Sequence, residues 1–234
     1  MKKIIPLIAP ILFLTFGFFL IGQALPKSLM DQWEDVESEI KKGLPKTAIE
    51  KIDPLIKQAL KDGSHAVAIR AICQKINLEG AIQGNKAEEK IARLEEEITK
   101  APEALKPMMR AVLSNWYWQY FQQNRWRFAQ RTRTAEAPGE DITTWDLPRI
   151  LAEIDKQFQK TLSYHEVLKK EAIGDYDFLL KKGNVPESYR PTLYDFVVHD
   201  ALRFYSAGEQ AGSGKPGRAP DPRRLGALLQ FAAH

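Results

Sequence analysis

The chain has 234 residues, 44% hydrophobic and 27% charged, with 34 Lys and Arg against 30 Asp and Glu for a formal net charge of +4. The surplus is local: Lys2 and Lys3 carry +2, residues 215–224 carry +3, and residues 25–214 carry −1. A body this close to neutrality lacks the clustered cations that displace counterions from nucleic acid, which argues against nucleic acid as a partner.

Lys2 and Lys3 precede an apolar run from Ile4 to Ile21, and the small-x-small triplet Gly22-Gln23-Ala24 follows it. This is the order of a secretory signal peptide, with cleavage expected after Ala24 and a mature chain beginning Leu25-Pro26-Lys27. The competing expectation is an uncleaved anchor through residues 4–21, because about 18–20 apolar residues can span a hydrocarbon core. Either way the remainder is expected to be exported, periplasmic or extracellular, touching membrane only through this segment.

Ser28 is the predicted cap of a first helix whose apolar positions Leu29, Trp33, Val36 and Ile40 follow a 3.6-residue period, with Gly43 as its stop. Pro45 opens a second helix with Ile49, Ile52, Leu55, Ile56 and Leu60 as its buried face, and Pro54 is expected to kink it. Ser64 begins a third, carrying Ala68, Ile69, Ile72 and Ile76 and ending near Gly80 or Gly84. Within it Cys73, the only cysteine, can close no intrachain disulfide and is expected to be a buried, inert thiol. Asn85 is the predicted cap of a fourth helix, in which Ile91, Leu94 and Ile98 alternate with charged residues that read as a solvated face.

Pro102 and Pro107 introduce a long fifth helix over 103–131. After a polar loop containing Pro138-Gly139, Asp146 or Thr144 caps a sixth helix with Ile150, Leu151, Ile154, Phe158 and Leu162 as its stripe. A short amphipathic turn surrounds Tyr176, Leu179 and Leu180. Pro191 starts the last helix, with Leu193, Phe196, Val197, Leu202 and Tyr205 facing inward. No alternating β-branched run interrupts this pattern.

The predicted fold is therefore all-α, made of antiparallel helical hairpins of TPR-like or helical-bundle kind. Gly43 to about Gly80 is close in length to a tetratricopeptide unit of about 34 residues but lacks its aromatic signature. The organisation is a signal peptide at 1–24, a helical-hairpin region at 25–131, a loop at 132–146, a C-terminal helical region at 147–206, and a Gly/Pro/Arg-rich tail at 207–234 that is disordered by composition.

The densest chemical feature is the aromatic run Trp116 to Phe128. Its candidate partner-binding residues are Trp116, Trp118, Tyr120, Arg125, Trp126 and Arg127, with rings to stack on a peptide or glycan and guanidiniums to supply charge. The competing expectation is burial, since aromatics around most of a helix's circumference imply a helix enclosed by neighbours. Catalytic patterns fail by inspection. His165-Glu166 has Lys169 where a zinc helix needs its second imidazole. His199 and Asp200 are adjacent on a helix and point about 100° apart, too far for a triad orientation. Gly214-Lys215 lacks the other residues of a phosphate loop. No catalytic residue, metal ligand or cofactor is predicted, and the chain is expected not to be an enzyme.

Several blocks occur in order: Gly43-Leu44-Pro45-Lys46-Thr47-Ala48, Gln83-Gly84-Asn85-Lys86, Asn115-Trp116-Tyr117-Trp118 through Arg125-Trp126-Arg127-Phe128, Glu136-Ala137-Pro138-Gly139-Glu140-Asp141, and Tyr189-Arg190-Pro191-Thr192-Leu193-Tyr194-Asp195-Phe196. Together they resemble the N-terminal helical region of the large secreted α2-macroglobulin-like proteins of bacteria, over about residues 25–212. The resemblance implies a protease-trap family, in many members armed with a Cys-x-Glu-Gln thioester. Cys73-Gln74-Lys75-Ile76 is not that quartet, and the strand-rich macroglobulin domains are not present in the sequence. The implied partners are a peptidase or the remaining macroglobulin domains, and the divergent tail implies a truncated product. The expected function is a non-catalytic exported helical module of this kind. The alternative is a free-standing helical-repeat scaffold that binds peptide or protein partners in the cell envelope.

Overall fold

The computed structural model describes residues 28–130, 139, 141–181 and 186–207. The expected signal peptide, most of the 132–146 loop and the tail beyond 207 lie outside the described residues.

Ser28 and Asp31 exchange hydrogen bonds: the Ser28 hydroxyl accepts from the Asp31 amide at 3.1 Å and the Asp31 carboxylate accepts from the Ser28 amide at 3.2 Å. This capping box starts helix α1, Leu29–Lys41. Gly43 ends it at φ +73°, a left-handed conformation open to glycine, and the Leu44 amide can then return to the Glu39 carbonyl at 3.0 Å. The same closure ends α2, Pro45–Lys61, where Gly63 at φ +68° lets the Ser64 amide reach the Ala59 carbonyl at 2.9 Å. After α3, His65–Ile82, the Asn85 amide returns to the Gly80 carbonyl at 2.6 Å. Connections this short oblige consecutive helices to pack side by side in opposite directions. The series continues through α4, Ala87–Lys100, and α5, Lys106–Gln123, each helix packed on the one before. The three turn glycines lie 20 and 21 residues apart. A two-helix unit is thus longer than the about 34 residues of a tetratricopeptide unit.

Local details depart from expectation where tertiary structure intervenes. Asn85 does not cap α4. It sits at φ +58° and closes the preceding turn, while Lys86 occupies the cap position without a side-chain bond. The expected helix over 103–131 is two helices, α5 and the short α6, Arg125–Gln130. Asn124 stands between them: its backbone amide bonds to the Tyr120 and Phe121 carbonyls, both at 3.1 Å, and its side-chain amide also donates to the Tyr120 carbonyl at 2.9 Å. α2 runs unbroken through Pro54.

Asp146 caps α7, Leu147–Leu162, accepting from the Arg149 amide at 2.9 Å. α8 is the single turn His165–Leu168. The last helix, α9, Leu193–Ser206, starts from Thr192 rather than Pro191, through a capping box with Asp195. Pro191 instead lends its carbonyl to the Ile173 amide at 2.9 Å. With the Leu193 amide bonded to the Glu171 carbonyl at 3.0 Å, this forms the isolated antiparallel bridge Ala172–Thr192, which pinches the segment between α8 and α9 at its base.

Among the described residues the fold is all-α, without a strand, and none of its helices is long and apolar enough to cross a membrane. One hydrophobic core runs through it. Ile52 and Leu55 of α2, Ile69 of α3, Leu94 of α4, Met109 and Leu113 of α5 and Ile154 of α7 are essentially solvent-free within it. α5 is the centre, packing on α4, α7 and α9.

Arg70 on α3 ties the pinched segment to the hairpins. Its guanidinium lies 4.5 Å from the ring centre of Trp33 on α1 and 4.2 Å from that of Phe178, and it donates to the Phe178 carbonyl at 2.7 Å. Trp33 and Phe178 also meet edge to face at 5.3 Å. Arg70→Ala is expected to lower the unfolding free energy of the full chain by about 2–3 kcal/mol, from two cation–π contacts and one charge-assisted bond. Arg70→Lys should recover less than half, because an ammonium cannot lie flat between two rings. Urea denaturation measures both, and a loss no larger than a surface pair's, under about 0.5 kcal/mol, would remove the clamp from the account.

Candidate functional site

Three helices each present one face to a common cavity of about 450 Å³. α3 contributes Arg70, Cys73, Gln74 and Asn77, and α5 contributes Met108, Ala111, Val112, Asn115 and Trp116. Both sets step by three and four residues, the spacing that keeps side chains on one side of a helix. α9 adds Phe196, Asp200 and Arg203 in the same way, and the pinched segment closes the space with Leu179, Leu180, Lys181 and Arg190. The volume falls in the range of about 300–1,000 Å³ typical of ligand sites.

The floor is apolar and the rim charged. Burial pushes the Cys73 thiol up to about 12, so it stands protonated in the wall. Burial also raises the Asp200 carboxyl, against the opposing pull of Arg203, a hydrogen bond from Asn115, and Arg190. Arg203 lies 3.7 Å from Asp200. The neighbouring His199 is pushed down by burial and by Arg190, with Asp195 partly opposing, which favours the neutral imidazole. The Nε of Arg190 is buried without a hydrogen-bond partner.

The six sequence candidates separate. Trp116 is half-buried and forms a partition: one side faces this cavity, the other a smaller depression of about 260 Å³ between α3, α4 and α5. Tyr120 is buried at the edge of that depression and accepts a hydrogen bond from Arg127, whose guanidinium lies 5.7 Å from the Tyr120 and Phe128 rings. Trp118 faces α9 and packs edge-on against Phe204 at 5.2 Å. Arg125 and Trp126 belong to α6, beyond the break at Asn124, and both are exposed, Trp126 at 65%. The expected enclosure thus holds for Tyr117, Tyr120, Phe121 and Phe128 but not for Trp126. Of the six, only Trp116 reaches the large cavity.

Arg190, Leu179, Leu180 and Phe196 went unnoticed as site residues in the sequence. The stripes on α3 and α5 are visible there as spacing, but an amphipathic face looks the same whether it meets core or cavity.

A second polar cluster lies between α4, α5 and α7. The Tyr117 hydroxyl donates to Glu95 at 3.0 Å, and the Trp145 ring lies nearly parallel to that of Tyr117 at 6.1 Å. Burial raises the Glu95 carboxyl, with the Tyr117 bond opposing, and burial together with the carboxylates raises the Tyr117 phenol. Glu153, 3% exposed, accepts from Gln157 at 2.8 Å and Lys156 at 3.0 Å, with Arg149 at 3.4 Å. These groups answer one another. His165 meets Glu166 at 3.2 Å, and no group of three or more His, Cys, Asp or Glu among the described residues is placed to hold a metal ion.

Comparison with known protein families, with curated proteins and with solved structures finds no match to this chain.

Cys73, half-buried in the cavity lining, gives a direct check on the wall. With its pKa pushed from 9.0 to about 12, Cys73 holds about a thousandth of the thiolate of an unperturbed cysteine at pH 8. Iodoacetamide should therefore label the native chain about a thousandfold more slowly than the urea-unfolded chain, the rate rising about tenfold per pH unit between pH 7 and 9. Equal rates in both states would place the thiol in water.

Proposed function

We propose that the chain is a non-catalytic helical scaffold that holds a segment of a peptide or protein partner in the cavity between α3, α5 and α9. The carrying observation is the cavity: three rigid helical faces, an apolar floor, and the half-buried Trp116 indole as one wall. Aromatic walls of this kind supply large contact area at low entropic cost. The non-catalytic part of the reading is supported by chemistry: burial keeps Cys73 protonated, and in the second polar cluster Glu153 is met by Arg149 and Lys156 and Glu95 by the Tyr117 hydroxyl.

Selection of random displayed peptides against the full chain tests this. Enriched peptides are expected to lose at least about tenfold in affinity, near 1.4 kcal/mol, when Val112→Trp or Gln74→Trp fills the cavity. Peptides indifferent to both substitutions, or no enrichment, would overturn the scaffold reading.

The ordered sequence blocks favour a more specific identity: the exported N-terminal helical part of an α2-macroglobulin-like endopeptidase inhibitor, with a peptidase or further macroglobulin domains as partner. Two of those blocks, Asn115 to Phe128 and Tyr189 to Phe196, meet at the cavity through Asn115, Trp116, Arg190 and Phe196. Expression of the full gene in a bacterium followed by fractionation and N-terminal sequencing should find protein outside the cytoplasm beginning at Leu25. Recovery from the cytoplasm with Met1 intact would remove the exported part of this proposal.

A further inference from the structure

Two cavities among the described residues differ in their balance of charge. The one between α2, α3 and α4, about 460 Å³, has cations Lys57, Lys75, Arg93 and Lys100 and carboxylates Asp53, Glu79, Glu96 and Glu97 in its lining. Three of these cations are paired: Lys75 with Asp53 at 2.6 Å between α3 and α2, Arg93 with Glu79 at 3.0 Å between α4 and α3, and Lys100 with Glu96 at 2.6 Å along α4. Cations and carboxylates are equal in number among its described lining residues.

The cavity between α3, α5 and α9 is unbalanced. Among the described residues its lining holds four cations, Arg70, Lys181, Arg190 and Arg203, against one carboxylate, Asp200. Arg70 is engaged by Trp33, Phe178 and Glu37, the last at 3.6 Å, and Arg203 lies by Asp200. Lys181 and Arg190 remain, on the side where Leu179, Leu180 and Phe196 line the floor. The buried Nε of Arg190 is a donor with no acceptor among the described residues. A guanidinium in this condition suits a carboxylate, which can accept two parallel N–H bonds in a fixed plane. The adjoining floor offers a place for an apolar side chain beside that carboxylate.

We infer that the cavity takes an acidic, apolar segment of a partner polypeptide, its carboxylate bound by Arg190 and Lys181 and a neighbouring aliphatic or aromatic side chain seated against Leu180, Val112 and Phe196. The inference rests on the scaffold reading above and adds the sign of the charge and the residues that read it.

Fluorescence anisotropy of the full chain with two labelled synthetic peptides tests it, one alternating leucine with glutamate and the other alternating leucine with lysine. The acidic peptide is expected to bind at least about tenfold more tightly, with an affinity that falls as salt is raised. Arg190→Gln should weaken it about tenfold and Lys181→Gln severalfold, with circular dichroism unchanged. Because Lys181 is exposed, its substitution carries the test if Arg190→Gln perturbs folding. Equal binding of the two peptides, no binding of the acidic one, or indifference to Lys181→Gln and Arg190→Gln would each overturn the inference. Selected peptides that lack acidic residues yet are displaced by Val112→Trp would overturn the charge assignment alone and leave the scaffold standing.

Discussion

The guanidinium of Arg70, held between the rings of Trp33 and Phe178 and bonded to the Phe178 carbonyl, joins parts of the chain that turn chemistry cannot bring together. The hairpins α1 to α5 are organised by contacts between sequence neighbours. The segment from Glu171 to Leu193 is different. Its base is held by a two-residue bridge, and its outward path is set by what its side chains find on α1 and α3. A planar cation suits this junction because both its faces can meet π-systems while its edge still donates hydrogen bonds. Leu179 and Leu180 follow Phe178 directly, so the clamp that positions Phe178 also lays down one side of the cavity. The ligand-sized space therefore follows from a long-range contact, although most of its lining lies on regular helices.

Features legible in the sequence are those whose cause lies within a few residues. Ser28 with Asp31, Gly43, Gly63 and Asp146 each act on the adjacent turn of backbone, and each behaves in the structure as the local pattern implies. The misread positions have a longer-range cause or two local solutions of similar free energy. Asn85 could cap the helix after it or close the turn before it, and it closes the turn. Asn124 sits in a run that reads as continuous helix, yet it ends α5 with its backbone and side-chain amides both bonded to the Tyr120 carbonyl, and α6 begins after it. Thr192 takes the cap position that Pro191 suggested because Asp195 completes the box.

The aromatic run shows the same limit at the level of the site. Helical spacing sorts Trp116, Tyr117 and Trp118 onto different faces, but it cannot say which face meets α4, which meets α9 and which meets open space. The structure gives those faces to Glu95 and Trp145, to Phe204, and to the two depressions beside α3 respectively. Composition made the run conspicuous. The cavity owes more to Arg190, Phe196 and the Leu179–Leu180 pair, which are unremarkable in sequence and become neighbours only once the pinched segment folds back.

Charge placement gives these observations a common logic. Removing a charged group from water is costly unless a partner compensates, so a fold without a ligand tends to satisfy its own carboxylates and cations. This chain does so repeatedly: Glu39 accepts from Lys51 and Lys42, Glu153 sits among Arg149, Lys156 and Gln157, and the α2–α3–α4 cavity is bridged by ion pairs. Against that background, the half-buried Arg190, one of two arginines with an unmatched buried Nε among the described residues, is the one that lies beside an apolar hollow. Burial raises the Asp200 carboxyl, the one carboxylate among the described lining residues, with Arg203, Asn115 and Arg190 opposing. An incoming carboxylate would meet in Arg190 a guanidinium whose buried Nε has no acceptor among the described residues, beside the Lys181 ammonium.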